Sequence, residues 1–201
     1  MEKSEYLTVE QVRLFRHNGF LKHPNRLPED LVERLKEAVW KDISGEMEPV
    51  VRDREERVVR ISSLLDRNPI FLETVSDPLV LDPLESLLGP NIELITNRHN
   101  HANLNLASTY SSGRLHRDML QWSRPIVTII FYLEETTVEN GCTLVIPGTQ
   151  LLPGVRTLHG LEKEAWISEA EILDQVLPVP MPAGGMLVID SLIFHGVGKN
   201  R

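Results

Sequence analysis

The chain changes from a helical to an extended pattern near Pro90, and this change constrains its fold more than any other feature. Before it, Thr8 and Gln11 match a capping box, and the apolar residues that follow lie at helical spacing. A second helix is predicted from about residue 28 and a third over 79–88, where apolar residues again recur at helical spacing. The first third of the chain is therefore predicted to be helical.

After Pro90, β-branched or alternating segments separated by glycine and proline predict strands over 93–106, 126–133, 143–146 and 186–189. Helices followed by short strands are typical of an α+β domain whose β part is a sandwich or barrel. No interdomain linker interrupts the sequence. We therefore predict one domain over 1–201, with a helical part over 1–90 and a β part over 91–201.

Residues 45–60 form a charged segment without a clear hydrophobic period. The simplest prediction is a solvated loop, and the alternative is a mobile lid over a site. Arginines occur there, but acidic residues alternate with them, so the segment does not have the pattern of a phosphate-binding patch.

Composition and charge narrow the class of partner. The 201 residues carry a net charge of −8, which argues against a nucleic acid or an anionic membrane surface as the main partner. Cys142 is the only cysteine, so no internal disulfide or cysteine-based zinc site is expected. The polar start is unlike a secretion signal, and no apolar run reaches the roughly 18 residues of a membrane span. We predict a cytoplasmic protein that acts on a small-molecule substrate; the sequence makes no prediction of oligomeric state.

A His-x-Asp pattern at His116 and Asp118, with His195 downstream, is the main candidate for chemistry. On an extended backbone, residues two apart point to the same side, so His116 and Asp118 can share one metal ion. Two imidazoles and one carboxylate on one face of an ion form the facial triad of non-haem iron(II) oxygenases. An isolated His-x-Asp often arises by chance, so the pattern alone is weak evidence. A cupin-like isomerase or a zinc enzyme is an alternative.

Four segments in a fixed order carry a resemblance to a known family. Residues 139–149 (ENGCTLVIPGT) resemble the "NG…PGSH" segment of phytanoyl-CoA dioxygenase-like enzymes, between the His-x-Asp and the distal histidine. Residues 7–21 resemble the first helix and strand of that family, residues 81–90 the helix before its barrel, and residues 182–196 its final metal-bearing hairpin. The resemblance spans almost the whole chain.

The resemblance implies a double-stranded β-helix core, also called a jelly-roll or cupin-like core, with N-terminal helices packed on it. It implies iron(II) bound by His116, Asp118 and His195, with 2-oxoglutarate and dioxygen as co-substrates. Such enzymes convert 2-oxoglutarate to succinate and CO2 while they oxidise a substrate C–H bond. Related halogenases have a small residue in place of the carboxylate. The presence of Asp118 therefore favours a hydroxylase over a halogenase.

Odd-numbered polar residues of the predicted strand 93–106, including Asn97 and His99, would share one face. His101 and Asn105 on that face resemble the Gln-x-x-x-Asn strand with which ectoine hydroxylases contact 2-oxoglutarate. This resemblance makes the two residues candidates for co-substrate binding. The alternative is an edge strand with a solvated face.

The C-terminal segment departs from the family in two ways. Val197 stands where these enzymes usually carry serine or threonine, and their co-substrate arginine comes about ten residues after the distal histidine. Arg201 is the only arginine after His195 and is the candidate anchor within this chain, although we expect the natural chain to continue to a later arginine. These departures support one alternative: an inactive family member that serves as a binding or regulatory protein.

Overall fold

A computed structural model describes residues 6–96, 100–106, 115–119, 123–152 and 173–201. It divides into two compact units, one of Met1–Tyr6 with Leu27–Leu106 and one of Leu7–Arg26 with Ala107–Arg201. That the chain acts as one dioxygenase domain stays a prediction. Among the described helices, none combines the length and the apolar content needed to cross a lipid bilayer.

The described residues contain the following helices and strands. The helices are α1 (Val9–Asn18), α2 (Glu29–Ser44), α3 (Leu64–Arg67), α4 (Pro69–Val75) and α5 (Pro78–Leu88). The strands are β1 (Phe20–Lys22), β2 (Val50–Arg52), β3 (Val58–Ser62), β4 (His101–Asn103), β5 (Val127–Phe131), β6 (Thr143–Ile146), β7 (Leu177–Val179), β8 (Met186–Asp190) and β9 (Phe194–Val197).

The first unit combines four helices with a small antiparallel sheet in the order β2-β3-β4. Helix α2 buries Val32, Leu35 and Val39, which lie on one face at helical spacing, and it lies beside β3. Helices α4 and α5 both start with a proline and an asparagine or aspartate cap. Their buried faces complete the core of this unit.

The described residues of the second unit form two three-stranded antiparallel sheets, in the orders β1-β8-β5 and β7-β6-β9. Both sheets contribute to one buried apolar cluster, with Val145 and Val179 from one sheet and Leu187 and Ile189 from the other. The two sheets therefore face each other across a shared core, as in a jelly roll.

Helix α1 begins and ends as its sequence predicts. Thr8 and Gln11 form the complete capping box, and Gly19 ends the helix in the left-handed conformation with φ 79°. The side-chain amide of Gln150 donates to the carbonyls of Arg16 and His17 at 3.0 and 3.1 Å. These bonds satisfy carbonyls of the last helical turn and tie α1 to the turn after β6.

The prediction of a loop over 45–60 is wrong. Strands β2 and β3 pair there as an antiparallel hairpin, and Asp53 at its turn accepts a hydrogen bond from the Arg57 guanidinium at 2.8 Å. The valine pairs of both strands supply the β propensity, while the charged residues concentrate at the turn and hide the pattern.

The predicted strand 93–106 is also mostly wrong. Among the described residues of this stretch, only β4 is a strand, paired with β3 through Ser62↔His101 and Arg60↔Asn103, and residues 93–96 have no regular structure. Asn97 and His99 lie outside the described residues. Propensity alone overestimated the strand, because its length depends on how many residues find a partner in register.

Candidate metal centre

His116 and His195 are direct antiparallel partners. The His116 amide donates to the His195 carbonyl at 2.8 Å, and the His195 amide donates to the His116 carbonyl at 2.9 Å. Side chains of such a pair project to the same face of a sheet. Their ring centroids are accordingly 4.6 Å apart.

The 190–193 turn between β8 and β9 holds Asp118 beside the two imidazoles. The backbone amides of Asp118 and Met119 both donate to the Ser191 carbonyl at 3.0 Å. Asp118 Oδ1 lies 3.7 Å from His116 Nε2 and 3.5 Å from His195 Nε2. The structure thus brings together all three residues of the predicted triad.

The donor set fits a divalent transition metal. One ligand atom from each of His116, Asp118 and His195 lies within 4.8 Å of the others. Ligands at right angles around an ion with bonds of about 2.1 Å are about 3.0 Å apart, so small side-chain movements suffice for coordination. Two neutral nitrogens and one carboxylate oxygen suit iron(II) and leave other positions for exogenous ligands.

The ring of His195 is oriented by the same turn. Its Nδ1 lies 3.1 Å from the Ile193 carbonyl. Because a carbonyl only accepts hydrogen bonds, this contact places the proton on Nδ1 and leaves the Nε2 lone pair for a metal. The backbone therefore selects the tautomer that the proposed coordination needs.

Asp118 is fixed by hydroxyl groups at its other oxygen. Thr128 Oγ1 on β5 donates to Asp118 Oδ2 at 2.7 Å, and Thr128 Oγ1 lies 3.0 Å from Ser191 Oγ. Thr128 pairs in register with Ile189, a residue of the shared core, so the hydroxyl lies on the inner face of β5. His195 likewise pairs with the core residue Val145, and the candidate site is therefore at the inner faces of the two sheets.

Arg117 lies between two of the proposed ligands but extends to the opposite side, where it is fully buried. Its guanidinium donates to the carbonyls of Thr149 at 2.9 Å and Leu152 at 3.1 Å, and it lies 4.3 Å over the Phe194 ring. The Thr149 hydroxyl in turn accepts a hydrogen bond from the Phe194 backbone amide at 2.9 Å. Arg117 thereby connects the His116–Asp118 segment to the residues next to His195.

The three proposed ligands differ in exposure. The side chain of His116 is 43% exposed, whereas the side chains of Asp118 and His195 are 9% and 8% exposed. Asp190, at the start of the 190–193 turn, is partly buried, and this burial raises the pKa of its carboxyl group. Of the three proposed ligands, His116 is therefore the most exposed.

The predicted co-substrate residues have different locations. His101 is on β4 and Asn105 just after it, and both belong to the first unit, whereas the proposed metal ligands belong to the second. Arg201 is exposed, and its amide donates to the Glu139 carbonyl at 3.1 Å. Its charge also contributes to lowering the pKa of the Glu139 carboxyl group, after hydrogen bonding from Thr137 and from the Glu139 backbone. A role of these residues in co-substrate binding stays a prediction.

Thr128 and Ser191 were not among the residues predicted from the sequence. Thr128 interrupts the apolar run 126–131, and Ser191 follows the apolar strand β8, so both are hydroxyl groups in segments that otherwise pack a core. A hydroxyl removed from solvent needs a partner: Thr128 donates to the Asp118 carboxylate, and the Ser191 hydroxyl lies beside that of Thr128. A single polar residue within or directly after an apolar strand is the sequence pattern that could have indicated them.

Known proteins share this architecture. EctD from S. alaskensis, in a structure with 2-oxoglutarate and 5-hydroxyectoine, superposes with a TM-score of 0.75 at 18% identity, covering 98% of this chain and 74% of that one. SnoK, a non-heme alpha ketoglutarate dependent carbocyclase from nogalamycin biosynthesis, gives a TM-score of 0.74 at 18% identity, covering 98% of this chain and 81% of SnoK. These similarities confirm the predicted α+β fold with a jelly-roll core.

Proteins named as dioxygenases are also similar to this chain in sequence. The peroxisomal phytanoyl-CoA dioxygenase of Homo sapiens is 25% identical over 225 residues, covering 97% of this chain and 64% of the human protein. Dioxygenase af480 of Aspergillus fumigatus is 27% identical over 205 residues, covering 92% of this chain and 59% of that protein. The chain thus spans less than two thirds of the length of these two relatives. The model of the phytanoyl-CoA dioxygenase (PhyH) family matches residues 15–201, and the chain belongs to that family.

Proposed function

We propose that the protein is an iron(II)- and 2-oxoglutarate-dependent dioxygenase that hydroxylates a small organic substrate. The observation that carries this proposal is the convergence of two imidazole nitrogens and one carboxylate oxygen within 4.8 Å, at His116, Asp118 and His195. Membership of the PhyH family supports the same reaction class.

His116, Asp118 and His195 would hold the iron ion. Iron(II), with 2-oxoglutarate and dioxygen, supplies the oxidising power for a C–H bond while 2-oxoglutarate becomes succinate and CO2. The Asp118 carboxylate offsets part of the charge of the cation, and the Ile193 carbonyl keeps the His195 Nε2 lone pair available. Burial of Asp118 and His195 keeps bulk water away from one side of the site.

Hydroxylation is favoured because the carboxylate ligand is present at position 118. SnoK, whose name states carbocyclisation, has a similar fold, so another oxidation at the same kind of site is the second candidate reaction. The third candidate is a member without turnover, which would bind the small molecule and 2-oxoglutarate only. Val197 in place of the usual serine or threonine is the feature that favours it.

We propose that His101 and Asn105 contact the co-substrate, on their resemblance to the strand of ectoine hydroxylases, and we retain Arg201 as the candidate anchor within this chain although the family places its arginine later. The distal carboxylate of 2-oxoglutarate requires a cationic partner if it is to be buried. Arg201 follows His195 in this chain, and its planar guanidinium would bind that carboxylate in a bidentate geometry, through two parallel hydrogen bonds. Dioxygen completes the set of co-substrates.

Succinate formation tests the proposal. The chain is loaded anaerobically with Fe(II) and 2-oxoglutarate, exposed to dioxygen, and assayed for succinate and for oxygen consumed. We expect succinate above a metal-free control and loss of it in His195→Ala. Binding of 2-oxoglutarate without succinate would favour the binding-protein alternative. Stoichiometric zinc with no response to Fe(II) would favour the cupin-like alternative.

A further inference from the structure

The two oxygens of the Asp118 carboxylate have different partners. Oδ1 faces the Nε2 atoms of both histidines at 3.7 and 3.5 Å, and Oδ2 accepts the Thr128 hydroxyl at 2.7 Å. Behind Thr128, the hydroxyl of the fully buried Ser191 lies 3.0 Å away. The carboxylate, Thr128 and Ser191 thus form a linear series of hydrogen-bonding groups.

The chemistry of these groups determines the direction of the hydrogen bonds. An ionised carboxylate only accepts, so the single proton of the Thr128 hydroxyl is directed at Asp118 Oδ2. Thr128 Oγ1 is then an acceptor for the Ser191 hydroxyl. A hydroxyl that accepts a hydrogen bond becomes a stronger donor, so Ser191 reinforces the bond from Thr128 to Asp118.

The Ser191 backbone holds the same ligand from a second direction. Its carbonyl accepts the amides of Asp118 and Met119, and its own amide donates to the Ile126 carbonyl at 3.0 Å. The segment that carries Asp118 is therefore positioned by the Ser191 main chain, whereas the rotation of the carboxylate about its χ2 angle depends on the two hydroxyls.

We propose that Thr128 is a positioning residue that makes Asp118 a one-oxygen ligand, and that Ser191 acts through Thr128. With Oδ2 engaged by Thr128, only Oδ1 is presented to an ion between the two imidazoles. One position that a two-oxygen carboxylate would occupy is thereby kept for an exogenous ligand. This inference rests on the proposed function, because it needs a metal ion at His116, Asp118 and His195.

The test measures the Kd for Co²⁺ alone, without 2-oxoglutarate, by titration of the metal-free protein. Thr128→Val keeps the branched shape and removes the hydroxyl, Thr128→Ser keeps the hydroxyl, and Ser191→Ala removes the group behind it. Thr143→Val is the matched control, because Thr143 is also buried and its hydroxyl lies 2.6 Å from the Tyr132 hydroxyl instead of at the site.

We expect Thr128→Val to raise the Kd about 10- to 100-fold, while Thr128→Ser and Thr143→Val stay within about threefold of wild type. Ser191→Ala is expected to raise it about threefold or more, and adding Ser191→Ala to Thr128→Val should cause no further rise, since Ser191 acts through Thr128. Circular dichroism and the thermal midpoint of each metal-free variant establish that it is folded.

An unchanged Kd in Thr128→Val overturns the proposal, as does an equal loss in Thr143→Val or no rescue in Thr128→Ser. If Thr128→Val does not fold, Ser191→Ala decides, and an unchanged Kd in that variant overturns the proposal. A wild-type chain that binds Co²⁺ yet forms no succinate with Fe(II) overturns the proposed function alone. A wild-type chain that binds no Co²⁺ overturns both.

Discussion

His116 and His195 exchange two backbone hydrogen bonds, so the two proposed imidazole ligands are held side by side by main-chain pairing. Backbone pairing fixes the register of both residues, and a shift by one residue would send one imidazole to the opposite face. The geometry of the candidate site is therefore a property of strand pairing in the second unit.

Asp118→Ala removes the only carboxylate of the proposed triad. We expect at least about a tenfold rise in the Kd for Fe(II) or Co²⁺ and loss of succinate formation, because a ligand and its charge are lost. Asp30→Ala, at an exposed position in the first turn of α2, is the charge-matched control. Succinate formation at the wild-type rate in Asp118→Ala would contradict the assignment.

Arg117→Lys replaces a buried planar cation by a point charge. Nη2 of Arg117 donates both hydrogen bonds, and the shorter lysine lacks the planar guanidinium that lies over the Phe194 ring, so we expect the free energy of unfolding to fall by about 2 kcal/mol or more. Urea unfolding measures this change. Arg124→Lys, at an exposed position, is the control, and equal unfolding midpoints in the two variants would count against the structural role of Arg117.

The thiol of Cys142 is buried, and this burial raises its pKa above the usual value. We expect a thiol reagent at pH 8 to modify the folded protein about 100-fold more slowly than the protein in urea, because the thiolate is scarce and inaccessible. As Cys142 is the only cysteine, absorbance or mass change reports on this site alone. Equal modification rates in the folded protein and in urea would show that the segment around Cys142 opens readily.

Tyr132 provides a prediction for alkaline pH. Burial raises the pKa of its phenol to about 12, against 10.0 for an exposed tyrosine. The unfolded state ionises first, so the stability associated with neutral Tyr132 is complete below pH 10 and is lost as pH rises through 12. The free energy of unfolding falls by at most about 2 to 3 kcal/mol through this effect.

Tyr132→Phe removes this titration together with the hydrogen bond to Thr143. We expect the variant to be less stable than wild type by about 1 kcal/mol at pH 8, with the difference shrinking or reversing between pH 10 and 12. Urea unfolding at a series of pH values measures this difference in the free energy of unfolding. A difference that is constant with pH would show that Tyr132 ionises equally in both states.

Arg201→Ala tests the proposed anchor for 2-oxoglutarate. If the guanidinium pairs with the distal carboxylate, the KM for 2-oxoglutarate should rise at least about tenfold with a smaller effect on kcat. Lys199→Ala removes an equal charge from an exposed neighbouring position and should leave the KM within about twofold. Equal KM values for Arg201→Ala and wild type would exclude Arg201 as the anchor.

Local patterns predicted much of this fold from the sequence. The capping box of α1 and the strands over 143–146 and 186–189 are all confirmed, because each depends on neighbouring residues or on simple hydrophobicity. Alternation on an extended backbone placed His116 and Asp118 on one side. Their meeting with His195 came from the family resemblance, since no local rule specifies which distant strand will pair with which.

What the sequence did not predict depends on pairing in three dimensions. The β2–β3 hairpin is stabilised by cross-strand partners, which short valine pairs beside charged residues do not reveal. Thr128 looks like an ordinary strand residue, because threonine has high β propensity. Its role became visible only when the register placed its hydroxyl on the inner face, 2.7 Å from Asp118.

The unequal exposure of the three proposed ligands predicts which metal–ligand bond would be displaced first. Asp118 and His195 are enclosed and held by the 190–193 turn, whereas nearly half of the His116 side chain is in contact with solvent. A chelator or competing ion would therefore displace the His116 bond first, and the lifetime of bound metal would be set largely at that residue. Slow dissociation would then depend on whatever covers His116 when substrate is bound.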